Sequence, residues 1–239
     1  MTILGIDLSH WNAGVSLNIA KEMGVKLAYI KITEGTDFVD DKAHQFFTSC
    51  NQLGIKASFY HYWKANVGGK QQAEHMLKYA KPYENKIGMP VALDVEDKSG
   101  TYYTKTKNSE NIYKFAKQCQ DFAGFPEIMI YTSASKWDSF VNPNAYEFWR
   151  LGLWVAHWGA GGNPAIPNPW KSKKTPFTIH QYGTINIGGK RIDGNKWNTK
   201  YHDFPPTKDN DEPPTQDKTI QHINVIYNDG SIDKFEKVP

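Results

Sequence analysis

Val91-Ala92-Leu93-Asp94-Val95-Glu96 is the stretch on which the fold of this chain is decided. Its apolar residues form a short continuous run rather than an alternating one, which is how a strand buried on both faces is written. The run ends in two acids spaced i and i+2. On a strand those positions share a face and lie about 6.5 Å apart at the backbone. Like charges that close resist joint ionisation, so one carboxyl is pushed toward its protonated form. A protonated acid beside an ionised carboxylate is what glycosidic cleavage needs. The plainer alternative is a strand running into a charged loop, since Asp97 and Lys98 follow.

Similar runs lie on both sides: Ile3–Ile6, Leu27–Ile32 and Ala57–Tyr62 before it, then Ile128–Tyr131, Leu153–Ala156 and Phe177–Tyr182. Helical patterns alternate with them. Within Asp40–Leu53 the apolar positions Ala43, Phe46, Phe47, Cys50 and Leu53 make one helix face, with Asp40 as N-cap and Gly54 at the left-handed position after the end. Thr106–Ala123 repeats the pattern, and Gln71–Tyr83 and Leu17–Met23 are further helices. Buried strands alternating with helices imply a parallel sheet, open or closed into a barrel. Beyond Tyr182 the helices stop: Ile185–Ile187, Gly188-Gly189 and Arg191–Ile192 predict a hairpin, so the last quarter of the barrel is plain β. The domain expectation is a catalytic barrel over 1–204, a Pro-rich linker over 205–217 and a short β-hairpin tail over 218–239, turning at Asn228-Asp229-Gly230. So small a tail must pack on the barrel, pair with another chain to form a homo-oligomer, or be a fragment of a larger module; a wall-binding or oligomerisation element is expected.

In a parallel barrel the active site lies at the C-terminal mouth of the strands. Here the apolar runs end in polar residues: Asp7; Thr33 and Glu34; His61 and Tyr62; Asp94 and Glu96; Tyr131; His157; Gln181. Asp193 follows the last run, and in a closed barrel first and last strands are neighbours, which brings Asp7 and Asp193 together. Each residue has a structural alternative: an N-cap for Asp7, hydrogen-bonded barrel histidines for His61 and His157, packing for the tyrosines. Trp63, Trp154, Trp158 and Trp170 are candidates to stack on sugars, with core packing the better account of Trp154. The Gly- and Pro-rich loop 159–169 is expected to wall the cleft.

Composition narrows the function further. The chain has 239 residues and a net charge of +3, which suits a polyanionic wall but no more than that. No Lys/Arg run with interleaved aromatics marks a nucleic-acid surface. No apolar stretch approaches the ~18 residues of a membrane span. The opening segment MTILGIDLSHW does not read as a signal peptide. Cys50 and Cys119 occupy apolar helix positions and are expected to be buried free thiols, and no Cys/His spacing marks a metal site.

The ordered motifs resemble those of the family 25 glycoside hydrolases, the Chalaropsis-type lysozymes of fungi, bacteria and phage endolysins. They are Gly5-Ile6-Asp7-Leu8-Ser9-His10-Trp11, Ala28 to Gly35, Tyr60-His61-Tyr62-Trp63, Leu93 to Glu96, Ile130 to Ser133, Leu153 to Trp158, Gln181-Tyr182-Gly183 and Ile192-Asp193-Gly194-Asn195. Asn12 and His180 depart from the usual Gln and Trp of the family. The resemblance implies an α/β fold, an irregular TIM-like (β/α)5β3 barrel. It implies an N-acetylmuramidase that cuts the β-1,4 bond between N-acetylmuramic acid and N-acetylglucosamine of peptidoglycan, without metal or cofactor. Glu96 is then the general acid, and Asp94 the helper of a substrate acetamido group that itself attacks the anomeric carbon. Asp7, Asp193 and Tyr62 would support them, with His61, Glu34, Tyr131, His157, Trp158 and Gln181 touching substrate. The expected setting is a phage or prophage endolysin, made in the host cytoplasm and reaching the wall after holin-type release. Chitinase-like hydrolysis and non-catalytic wall binding are the alternatives.

Overall fold

The computed structural model describes residues 3–96, 104–122 and 128–204, and the backbone of 222–226 and 232–236. Eight strands close on themselves: β1 (Ile3–Leu8), β2 (Val25–Glu34), β4 (Lys56–Tyr62), β5 (Val91–Asp94), β6 (Ile128–Thr132), β7 (Gly152–Ala156), β8 (Ile179–Ile187) and β9 (Lys190–Trp197), with β1 paired to both β2 and β9. A two-residue strand β3 (Phe38–Val39) folds back on the end of β2. Pairing is parallel from β1 round to β8, while β9 is antiparallel to both neighbours. Helices α1 (Leu17–Glu22), α2 (Ala43–Gln52), α3 (Gly69–Ala80), α4 (Lys105–Gln120) and α5 (Ala134–Phe140) follow the first five barrel strands in turn. Three strands then close the ring, with a single turn of helix α6 (Trp170–Lys173) between β7 and β8. This is the (β/α)5β3 arrangement.

The strands are apolar on both faces because each face meets a different core. Ile6, Ile30, Phe59, Leu93, Ile130 and Val155 point outward to the helices. Tyr29, Ala92, Met129, Trp154, Ile179 and Trp197 fill the barrel interior. The closing hairpin turns at Gly188-Gly189, both at positive φ (58° and 87°), between the paired Ile187 and Lys190. That conformation matches the right-handed twist of the flanking strands and costs glycine least.

Two local expectations change. Asp40 does not cap α2; the cap position is Lys42, and the Asp40 carboxylate turns instead to the backbone N–H of Lys42 and to His10. The helix α5 was not predicted, because its seven residues hold only one apolar pair, Trp137 and Phe140, on the buried side. Ser133 caps it by accepting from the Lys136 N–H. Gly54 sits at φ 65°, as expected past a helix end. Cys50 and Cys119 are free and buried, and burial pushes both thiols up to about 12. Among the described residues no helix is long and apolar enough to cross a membrane.

Residues 207–239 form a separate unit. In it β10 (His222–Ile226) and β11 (Ile232–Glu236) pair antiparallel, from His222 opposite Glu236 to Ile226 opposite Ile232. The linker 205–217 and the Asn228-Asp229-Gly230 turn lie outside the described residues.

Candidate active site

A cleft opens at the C-terminal ends of the parallel strands. Asp7, Ser9, Trp11, Lys31, Tyr60, Tyr62, Asp94, Glu96, Tyr131, Trp154, Gln181 and Asp193 line it. Strand register brings them together: Tyr62 lies opposite Asp94, and Asp94 opposite Tyr131. Asp7 lies opposite Asp193 across the seam where the barrel closes.

Glu96 stands one inward position beyond Asp94, just past the end of β5. The peptide between them is held on both sides: Val95 N–H donates to the Tyr131 carbonyl at 2.9 Å, and Thr132 Oγ1 donates to the Val95 carbonyl at 2.9 Å. Asp94 is 6% exposed, and its Oδ1 is buried without a hydrogen-bond partner. Burial, then the negative charges of Glu96 and Asp7, push its carboxyl well above the usual range.

Asp7 is wired differently. Its Oδ2 accepts from Asn195 Nδ2 at 2.8 Å and from Gln181 Nε2 at 3.0 Å. Both amides are oriented from behind by donors. Trp154 Nε1 donates to Asn195 Oδ1 at 2.8 Å, while Tyr131 Oη and Trp158 Nε1 each donate to Gln181 Oε1 at 3.0 Å. Because a donor fixes each amide oxygen, each NH₂ group must face the carboxylates. Gln181 Nε2 also reaches Asp193 Oδ2, at 3.4 Å. Burial and the neighbouring Asp193 charge outweigh these hydrogen bonds and raise the Asp7 carboxyl to about 7. Burial also raises Asp193, with the Arg191 guanidinium opposing.

Several expected residues sit elsewhere. His61 is fully buried on the outward face of β4, between Thr33 Oγ1 at 2.8 Å and Gln72 Oε1 at 3.2 Å, and lines no part of the cleft. Burial lowers its pKa to about 3. The strand alternation makes this unavoidable: if Tyr62 faces the mouth, His61 faces the helices. Glu34 is also absent from the lining. It accepts from Lys31 Nζ and from Lys64 Nζ at 2.7 Å, and those ammoniums lie 4.8 and 5.2 Å from the Tyr62 ring centroid. Burial acts against the two ammoniums, but they prevail and the Glu34 pKa is lowered. Glu34 thus anchors the two ammoniums that lie beside the Tyr62 ring. His157 is exposed and accepts from the Ala165 N–H at 2.8 Å, fixing the 159–169 loop, which supplies no lining residue. Trp158 is 53% exposed and holds Gln181. Trp63 and Trp170 are fully buried and stack on nothing outside the core, whereas Trp154 packs in the interior and floors the cleft.

Residues not singled out from the sequence also belong here. Tyr60 shares the inward face with Tyr62, and Lys31 precedes a bulge at Ile32 that shifts the β2–β4 register and turns Thr33 outward. Strand alternation could have found Tyr60; the bulge has no sequence signal of comparable strength. Asn195 and Trp11 were visible only as parts of longer motifs.

A cleft with paired carboxylates, neutral hydrogen-bonding side chains and an aromatic floor suits acid-assisted cleavage of a sugar linkage. The comparisons agree. The model of "Glycosyl hydrolases family 25" matches residues 6–187. Lysozyme M1 of Streptomyces globisporus is 28% identical over 208 residues, which cover 82% of this chain and 68% of that protein. The crystal structure of the bacterial lysozyme from Streptomyces coelicolor superposes with a TM-score of 0.72 at 29% identity, covering 83% of this chain and 93% of that one. The family GH25 lysozyme from Aspergillus fumigatus gives 0.69 at 26% identity, covering 83% and 94%. With the matched segment running from β1 into β8 and so containing the Asp94–Glu96 strand, this chain is a glycoside hydrolase belonging to family 25.

Proposed function

We propose that the cleft hydrolyses the β-1,4 bond between N-acetylmuramic acid and N-acetylglucosamine in peptidoglycan. The observation that carries this is Asp94 Oδ1, a buried acceptor at the cleft with no donor of its own. A buried polar atom left unpaired costs about 1–3 kcal/mol, and an acetamido N–H from the substrate is a donor that relieves it. The lysozymes to which the chain is similar support the same substrate.

In this account Glu96 gives its proton to the glycosidic oxygen as the C–O bond breaks. The acetamido carbonyl oxygen attacks the anomeric carbon, and positive charge develops on the acetamido group. Asp94 and Glu96 share a proton; with the substrate N–H donating to Asp94, that proton resides on Glu96, and the ionised Asp94 stabilises the charge through the N–H it orients. Water then opens the cyclic intermediate, giving its proton back to Glu96. The Asp7–Asp193 pair, held by Asn195 and Gln181, carries a shared negative charge on the seam side of the cleft, which favours the cationic transition state. Purified peptidoglycan incubated with the wild type should release new reducing ends, and Glu96→Gln should not. Release from chitin oligomers with none from peptidoglycan refutes the substrate.

Lysis of a host cell is the setting we propose for this activity, consistent with a basic protein (pI ≈ 8.6) acting on a polyanionic wall. Purified protein added to permeabilised bacteria should lyse them, and Glu96→Gln should not.

A further inference from the structure

Trp11 is 83% exposed, yet it lines the same cleft as Asp94 and Glu96. A single exposed ring is ordinary on a protein surface; this one is set apart by its place at the cleft and by the fixed turn beneath it. The turn that carries it is tightly held. Ser9 N–H donates to Asn12 Oδ1 at 2.8 Å, and Asn12 N–H returns to the Ser9 carbonyl at 2.8 Å. Asp40, 3% exposed, directs its Oδ2 at both the backbone N–H and the Nδ1 of His10, each at 2.9 Å, while its Oδ1 accepts from Lys42 N–H at 3.0 Å. The His10 ring then backs the indole, with centroids 4.6 Å apart, and rests against Phe38 at 5.4 Å. A buried carboxylate is costly unless fully paired. Here three hydrogen bonds pair it, and two of them fix the residue next to an exposed tryptophan.

We infer that Trp11 is a glycan platform, a subsite outside the acid centre where the C–H face of a pyranose ring lies flat on the indole. Asp40 is its positioning residue. The inference rests on a glycan being the substrate, and it adds where a neighbouring sugar binds. A polymer whose scissile bond lies at Glu96 must continue along the cleft, and among the described residues that line it Trp11 is the most exposed aromatic. Ring faces of sugars are apolar and their edges polar, which matches a bare indole beside solvent. Because the turn is already ordered, little conformational freedom is lost when the sugar docks.

The test uses the full chain with soluble glycan strands from peptidoglycan freed of peptide. Trp11→Ala should raise KM about tenfold, the loss of one aromatic stacking contact, with the loss falling in KM rather than kcat and the pH profile keeping its shape. Trp11→Phe should recover part of the KM. Asp40→Asn should raise KM by a smaller factor, again without moving the pH profile. Separately, saturating glycan should protect wild-type fluorescence from acrylamide quenching more than it protects the Trp11→Phe protein. A Trp11→Ala protein with KM within twofold of wild type and equal quenching protection overturns the platform. A wild type that cleaves no peptidoglycan glycan overturns the muramidase assignment instead, and quenching with an N-acetylglucosamine hexamer still reads the platform.

Discussion

The cleft has two acidic sides built on opposite principles. On β5, Asp94 is buried with an unpaired oxygen and a like charge two residues away. At the seam of β1 and β9, Asp7 accepts two amide hydrogen bonds, each amide fixed from behind by an aromatic donor. Both carboxyls are raised by burial, so desolvation alone does not distinguish them. The wiring does. At the seam, Asp7 Oδ2 has both its donors without substrate. On β5, Asp94 Oδ1 is incomplete until a substrate supplies a donor. Asp94 and Asp7, side chains of one type, thus divide into reactant and scaffold according to whether the protein has already satisfied them.

That division can be broken by substitution, and the largest effect falls on the reactant side. Glu96→Gln should reduce kcat by about a thousandfold, the scale of general acid catalysis, with the far-UV spectrum and Tm preserved. Asp94→Asn should cost about a hundredfold in kcat, since the amide still meets the acetamido group but carries no charge to stabilise it. Its Tm should hold or rise at pH 7, because the carboxyl it replaces is disfavoured by burial. A lowered Tm would mean that Asp94 is structural.

On the seam the balance reverses, with stability moving more than chemistry. Asn195→Ala leaves Trp154 Nε1 buried without its acceptor and removes one donor from Asp7. It should cost about 1–3 kcal/mol of stability, measured by denaturant unfolding, and only about tenfold in kcat. The last effect is a pH signature of stability. The folded Asp7 pKa, about 7, exceeds its ordinary 3.8. Between those values the unfolded chain gives up this proton while the native chain keeps it, so the contribution to stability falls as pH rises through that window and levels off above 7. Wild-type Tm should therefore gain more than Asp7→Asn Tm on acidification from pH 7 to 5. Parallel Tm curves would remove Asp7 as the source.

The parallel strands and their helices were legible because burial on two faces leaves continuous apolar runs, and Asp7, Asp94, Glu96 and Asp193 were legible as polar residues ending such runs. The failures came from direction rather than position. His61 and Tyr62 both end the β4 run, but adjacent strand residues face opposite ways, and only Tyr62 reaches the cleft. Glu34 lies beyond a bulge and is claimed by Lys31 and Lys64, partners that no local pattern announces. Asp40 followed the N-cap rule in sequence yet was drawn off by His10, thirty residues away in the chain. Trp11 carries no periodic signal, since its role depends on being exposed.

The most direct test of the division between reactant and scaffold is mass spectrometry of peptidoglycan glycans digested by the wild type, Glu96→Gln and Asn195→Ala at equal folded concentration. The wild type should give products ending in reducing N-acetylmuramic acid, Asn195→Ala the same products more slowly, and Glu96→Gln none over the same period. Products ending in reducing N-acetylglucosamine, or a Glu96→Gln protein faster than Asn195→Ala, would contradict this.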